Sequence, residues 1–396
     1  MMQNEYDDWQ DIEQSTEPTR TTLAAFTFLC LVLLLTAFGL IMLYSASYNE
    51  ALLHNLVHHY FFSRQLVFVL LAFAVGVILR FVPLSWLEKS AYPAITLVVV
   101  LLLMTLFTPF GQEILGSRRW LKIGSLPGLQ PSEFAKIAMI LFVASYHKKD
   151  RTGQTMLVRF GPQIGIGLII TMLIFLQRDY SSALLFLALS LALLLSSGFP
   201  LSYLLVMVAF MLPPALVAMF SQAYRVRRVF SFIFPALDPA GMSYQVSTSL
   251  RSIGSGGLFG VGLGKGTYKL GLLPEVQSDF IFASICEEMG FVGALFIILL
   301  FVLFCLLGYG GAKKIAQSNK FLSQGAFGMT SMVLFQALMN LMVVTALLPP
   351  TGIPLPFFSQ GGTNIFVVLV GCSFIYRVLL IQDKESKILY EPRRNL

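Results

Sequence analysis

Ten apolar stretches of about 20 residues recur along this chain of 396 residues, and one such stretch is the length that spans the hydrocarbon of a bilayer. They lie near 22–44, 63–82, 91–108, 132–147, 158–176, 180–198, 201–220, 279–307, 323–347 and 363–382. Inside hydrocarbon a chain must satisfy its own peptide groups, and for single runs of this kind that means helices. The sequence therefore predicts an all-α polytopic membrane protein with about ten transmembrane helices. A hydrophobic content of 56%, a charged content of 12% and a mean hydropathy of +0.77 exclude an ordinary soluble domain. Nothing in the chain points to nucleic acid.

An even number of crossings puts both termini on one side. The short connectors 147–159 and 308–322 and the tail at 383–396 carry Lys148, Lys149, Arg151, Arg159, Lys313, Lys314, Lys320, Lys384, Lys387, Arg393 and Arg394, so the positive-inside rule places them and the termini in the cytoplasm. Residues 1–21 hold six acids and one base, the reverse of a signal peptide, and read as a disordered acidic tail ahead of a membrane domain at 22–382. Cys30, Cys286, Cys305 and Cys372 lie in apolar runs as packing residues, and His54, His58 and His59 sit in a solvated interfacial connector.

Two outward connectors break the charge pattern. Residues 109–131 carry Arg118, Arg119 and Lys122, and 221–278 carry Arg225, Arg227, Arg228, Arg251, Lys265 and Lys269 against Asp238 and Glu275. Long loops translocate regardless of charge, so the orientation stands, but the excess needs a cause. An anionic substrate at the outer face is one, and attraction to phospholipid headgroups is the other. The run "SIGSGGLFGVGLGKG" at 252–266 favours the first, because glycine-rich backbone lets N–H groups approach phosphate oxygens beside Lys or Arg.

Acids near hydrocarbon are costly and have to be paired or used. Glu133 and Lys136 are three apart at the head of the fourth segment and share a helix face, as a structural ion pair or as a functional one, with Lys136 able to meet a pyrophosphate. In a helix starting at 279, the small residues Ala283, Cys286, Gly290 and Gly293 would lie on the face of Asp279 and leave a groove or a tight helix contact. Glu287 and Glu288 fall on other faces and are expected to be paired or hydrated.

The motifs "GSRRWLKIG…LQPSEFAK" at 116–136, "YRVRR" at 224–228, "YQVSTSLRSIGSGGLFGVGLG" at 244–264, "LLPEVQSDFIFASICEEMGFVG" at 272–293 and "LPPTGIPLPFFSQGG" at 348–362 together resemble the SEDS family (shape, elongation, division and sporulation), over nearly the whole chain after residue 22. The resemblance implies ten helices with a large external loop between the seventh and eighth. It implies polymerisation of lipid II into peptidoglycan, with the essential acid on Asp279 and the paired acid and base on Glu133 and Lys136. Residues 177–182, "QRDYSS", and 359–364, "SQGGTN", depart from the family's usual sequences there, which leaves the effect of Arg178 and Gln360 open. "YRVRR", "TYKLGLLPE" and "LPPTG" look more like the division branch of the family than the elongation branch.

The expected activity is an inverting glycosyl transfer at the outer face of the bacterial inner membrane, with Asp279 as general base. Glu133, Lys136, Arg118, Arg119, Arg225, Arg227, Arg228, Lys265, Lys269 and Glu275 are the expected substrate contacts. A divalent cation, Mg or Mn, would assist, with no dedicated protein metal site. The implied partners are a class B penicillin-binding protein transpeptidase and other division proteins at the septum. The alternatives are a lipid II flippase, an elongation-type polymerase and a scaffold without chemistry. A flippase should bind headgroups on both faces, whereas the basic, glycine-rich material is concentrated outside. Single cysteines placed at 240, 152 and 388 test the orientation: only 240 should react with an impermeant thiol reagent in intact cells, and labelling of 152 would reverse it.

Overall fold

The computed structural model describes residues 18–390 apart from 115, 123, 125–127, 150, 152, 221–225, 227–231 and 233–241. Arg225, Arg227 and Arg228, most of the acidic tail and the end of the basic tail lie outside the described residues. The chain forms α1 (Pro18–Leu53), α2 (Tyr60–Phe81), α3 (Leu84–Phe107), a hairpin of β1 (Gly111–Ile114) and β2 (Ser117–Leu121), α4 (Pro131–His147), α5 (Met156–Leu176), α6 (Tyr180–Ser196), α7 (Leu201–Phe220), α8 (Met242–Ser255), a 3-10 turn (Tyr268–Leu270), α9 (Ile281–Ile315), α10 (Lys320–Val344) and α11 (Gly362–Tyr390).

Each of the ten predicted segments is a helix. Seven of them, α1, α2, α3, α5, α9, α10 and α11, are long and apolar enough to cross a bilayer by length and composition. The other three are α4, which carries the buried charges, and the apolar α6 and α7. Local signals set several ends. Pro131 opens α4, where its missing N–H costs nothing, while the side chains of Asp179 and Asn319 cap α6 and α10 by accepting from the N–H groups of Ser182 and Leu322. The hairpin was not expected: β1 and β2 pair antiparallel with an irregularity between Gln112 and Ile114, and Leu121 bridges to Leu129.

Helix α10 is the centre of the bundle, packed by α4, α6, α9 and α11 and touched by α8. Two small-residue contacts bring its backbone close to its neighbours. A side chain at Gly308 of α9 would collide with Thr330, and one at Gly328 would collide with Ile140 of α4 and Leu193 of α6. On the other side α2 packs on α11, and α1 packs on both α11 and α9.

The eighth segment differs from its expectation. It starts at Ile281 rather than 279, runs to Ile315, and is two helices joined at Gly290, whose φ of 65° and ψ of −164° suit only glycine. Asp279 precedes the helix, so the stripe of Ala283, Cys286, Gly290 and Gly293 does not extend from it. The break is filled by the glycine-rich segment. Val261 and Gly262 donate N–H to the carbonyls of Glu287 and Glu288 at 2.9 and 3.0 Å, and Phe291 and Val292 donate to Gly257 and Leu258 at 2.9 and 3.1 Å. Nine residues of helix place this exchange about 14 Å from the start of α9. The peptide groups released by the break are buried and require partners, and the inserted segment supplies them.

A Cβ at Gly290 would fall on Gly260 N and Leu258 O, besides straining its φ. Gly290→Ala should therefore lower the melting temperature of the solubilised protein by an amount equivalent to at least about 2 kcal/mol. Gly254→Ala, in a helical position with open space around it, should leave melting unchanged or raise it slightly.

Candidate active site

Residues 271–280 descend to α9 in successive turns. Glu275 takes a left-handed φ of 54° and its carbonyl accepts from Asp279 N–H at 3.1 Å. The buried Asn340 of α10 donates from Nδ2 to the carbonyls of Asp279 and Ile353, both at 2.8 Å. Gln360 N–H donates to Gln277 O at 2.8 Å. These bonds fasten the segment bearing Asp279 to the "LPPTGIPLPFFSQGG" loop. Gly352 of that loop, at φ 72°, borders the Asp279 carboxylate: a Cβ there would stand 3.4 Å from Oδ2, an ordinary contact distance. Asp279 is half-buried, while Glu275 is exposed and accepts from Ser278 Oγ at 2.9 Å.

Beneath this segment lies a buried polar chain. Lys136 Nζ is 2.9 Å from each oxygen of Glu133, and both residues are buried. Asn364 Nδ2 donates to Glu133 Oε2 at 2.7 Å, Lys136 donates to Gln336 Oε1 at 3.1 Å, and Gln336 Nε2 donates to Pro354 O at 3.0 Å. The pair on α4 is thus tied through α10 and α11 to the same loop that borders Asp279. In this arrangement Lys136, 2% exposed, is closed off from a substrate.

Glu287 and Glu288, each 1% exposed, organise the connector rather than face a substrate. Glu287 accepts from the N–H groups of Thr267 and Tyr268, from Thr267 Oγ1 at 3.1 Å and from Ser252 Oγ at 3.3 Å. Glu288 is ion-paired with Lys269 and accepts from Gly264 N–H at 2.8 Å and Ser45 Oγ at 2.9 Å. Lys269 also donates to Ser45 at 2.7 Å and is buried, whereas Lys265 is exposed.

The hairpin bases are engaged too. Arg118 donates to the carbonyls of Thr108 and Gly111 at 2.6 and 3.3 Å, and Arg119 lies 3.6 Å from the buried Asp179, which also accepts from Gln130. Arg178, at φ 61°, forms an exposed pair with Glu113 at 3.8 Å. Of the expected site residues, Asp279 and Glu275 share one segment, Asp279 half-buried and Glu275 exposed, with the exposed Lys265 on the connector leading to it. It sets Glu133, Lys136 and Lys269 in buried pairs.

Sequence reasoning missed Ser45, Gln336 and Asn340. Gln336 and Asn340 are four apart in an apolar run, so they share a helix face, and that spacing was the available signal. Among the described residues no three His, Cys, Asp or Glu side chains converge as metal ligands.

Removing one partner of a buried ion pair leaves the other uncompensated. Lys136→Met should cost about 3–5 kcal/mol in thermal or denaturant unfolding, and Glu133→Gln/Lys136→Met should recover part of that loss.

The family model for cell cycle proteins of the FtsW/RodA/SpoVE type matches residues 25–384. The probable peptidoglycan glycosyltransferase FtsW of Borreliella burgdorferi is 36% identical over 89% of this chain and 95% of its own. The stage V sporulation protein E of Bacillus subtilis is 33% identical over 91% and 98%. Among solved structures, a chain from a peptidoglycan synthase complex that coordinates polymerization and crosslinking superposes with a TM-score of 0.75 at 25% identity, covering 93% of this chain and 98% of that one. RodA of Thermus thermophilus superposes at 0.64 with 26% identity, over 90% and 97%. The ten-helix bundle, the five ordered motifs and a match over almost the whole length agree: this chain belongs to the FtsW/RodA/SpoVE, or SEDS, family.

Proposed function

We propose that this chain polymerises lipid II into glycan strands at the outer face of the cytoplasmic membrane, for septal synthesis in division. The carrying observation is the presentation of Asp279. It is the half-buried acid of its motif, on a segment whose backbone is held by Asn340 and by Gln360 of the following loop, whereas Glu133, Glu287 and Glu288 are almost wholly buried.

In the reaction the 4-hydroxyl of one lipid II sugar attacks the anomeric carbon of the growing chain with inversion. The new glycosidic C–O bond forms as the bond to undecaprenyl pyrophosphate breaks. Asp279 takes the hydroxyl proton, a contribution of typically 10²–10⁴-fold. Lys265 and the bases at 225, 227 and 228 attract the pyrophosphate and stabilise it as it leaves. A divalent cation, Mg or Mn, would neutralise charge on the departing pyrophosphate, held by that group's own oxygens, since among the described residues no cluster of acidic side chains is built to hold one.

A flippase reading fits less well. A headgroup route needs polar groups free to exchange partners along the path, and the buried pairs Glu133–Lys136 and Lys269–Glu288 are each tied to further fixed neighbours. Relatives named FtsW and a structural neighbour in a complex that also crosslinks support a class B penicillin-binding protein as partner. The acidic tail at 1–21 and basic tail at 383–396 would then face cytoplasmic division proteins.

Asp279→Asn keeps shape and removes the base. The purified variant with its transpeptidase partner, given lipid II in detergent, should melt like the parent and still bind lipid II. Its glycan-strand formation should fall by at least roughly 100-fold. Near-normal polymerisation by a stable variant would overturn the assignment.

A further inference from the structure

The connector that follows α8 is held at its far end by one charged cluster. Lys269, in the 3-10 turn Tyr268–Leu270, is buried and ion-paired with Glu288. Ser45 of α1 donates to Glu288 at 2.9 Å and accepts from Lys269 at 2.7 Å. The second oxygen of Glu288 accepts from Gly264 N–H at 2.8 Å, and the neighbouring Glu287 takes the N–H groups of Thr267 and Tyr268. Two carboxylates at the break in α9 thus fix residues 264–269 to α1 and α9 together. Ten residues further on, with the turn at Glu275 between, stands Asp279. A buried cation that is ion-paired with Glu288 and bonded to Ser45 is poorly placed to meet a pyrophosphate.

We propose that Ser45, Lys269 and Glu288 form a latch that sets the connector, and with it Lys265 and Asp279, against the bundle. Lys269 and Glu288 are positioning residues, and Lys269 does not touch substrate. Because Ser45 lies on a single helix running from Pro18 to Leu53, the latch also makes the connector's position depend on α1. This inference rests on the glycosyl-transfer reading only for its kinetic consequence, since the latch itself is a matter of geometry.

The test uses the full chain in detergent with its partner, comparing Lys269→Met, Glu288→Gln and the double variant. Glutamine keeps an acceptor for Gly264 and Ser45 while removing the charge. Two quantities are read: initial rates of lipid II polymerisation, and the rate of trypsin cleavage after the exposed Lys265, which requires the connector to open locally. Each single change should accelerate cleavage at least tenfold and lower kcat at least tenfold, with KM within threefold of the parent. The double variant, with no unpaired buried charge, should cleave more slowly and turn over faster than either single one. If Lys269 contacts pyrophosphate instead, Lys269→Met raises KM with cleavage unchanged, and adding Glu288→Gln brings no recovery. Either result overturns the latch. Failure of the parent itself to polymerise would count against the glycosyl-transfer reading alone, while the cleavage rates still decide the latch.

Discussion

A broken helix must find partners for the peptide groups it releases, and the architecture around the site follows from how α9 meets that requirement at Gly290. Glu287, Glu288 and Gly290 are buried, so an unfilled break would cost roughly 1–3 kcal/mol for each unsatisfied group. The glycine-rich segment 256–264 enters the break and exchanges main-chain bonds with residues 287–292 on both sides of it. Glycine is needed on both strands of the exchange, because a Cβ at Gly260 or at Gly290 would overlap the opposite backbone. What reads in the sequence as a phosphate-cradling loop is, in the fold, first a backbone partner for a transmembrane helix.

That arrangement explains acids that a purely apolar helix would not keep. Glu287 and Glu288 stand beside the break and bind the returning chain through its N–H groups and Lys269. A second polar chain, from Asn364 through Glu133, Lys136 and Gln336 to Pro354, steadies the loop on the other side of Asp279. Asn340 joins the two halves by bonding the carbonyls of both Asp279 and Ile353. The candidate base is therefore positioned by main-chain contacts from two loops. Asp279 itself is half-buried, and a fixed backbone of this kind is the preorganisation that general-base catalysis needs.

The architecture was legible in the chain because crossing a bilayer imposes a length on apolar runs. Residues 201–220 and 132–147 were placed within a residue of α7 and α4. The i, i+3 spacing of Glu133 and Lys136 put them in contact, as the fold has them. The break at Gly290 was not legible, since periodicity assumes a continuous helix and only a distant segment can compensate the interruption. The hairpin at 111–121 escaped for a related reason: its two strands are very short, and Ser117, Arg118 and Arg119 are held by bonds to α3 and to residues 177–179. Asn364, a departure from the family's usual sequence, finds its role only once α11 is set beside α4, where it satisfies Glu133.

The site depends on the glycine-rich segment being paired to α9 rather than lying as a free loop. Amide hydrogen exchange of the full chain in lipid nanodiscs tests this at Val261, Gly262, Phe291 and Val292, the four donors of the exchange. The account predicts slow exchange at all four, on the timescale of the interior amides of α9. Exchange at Val261 and Gly262 as fast as in an exposed loop, with α9 protected, would contradict it.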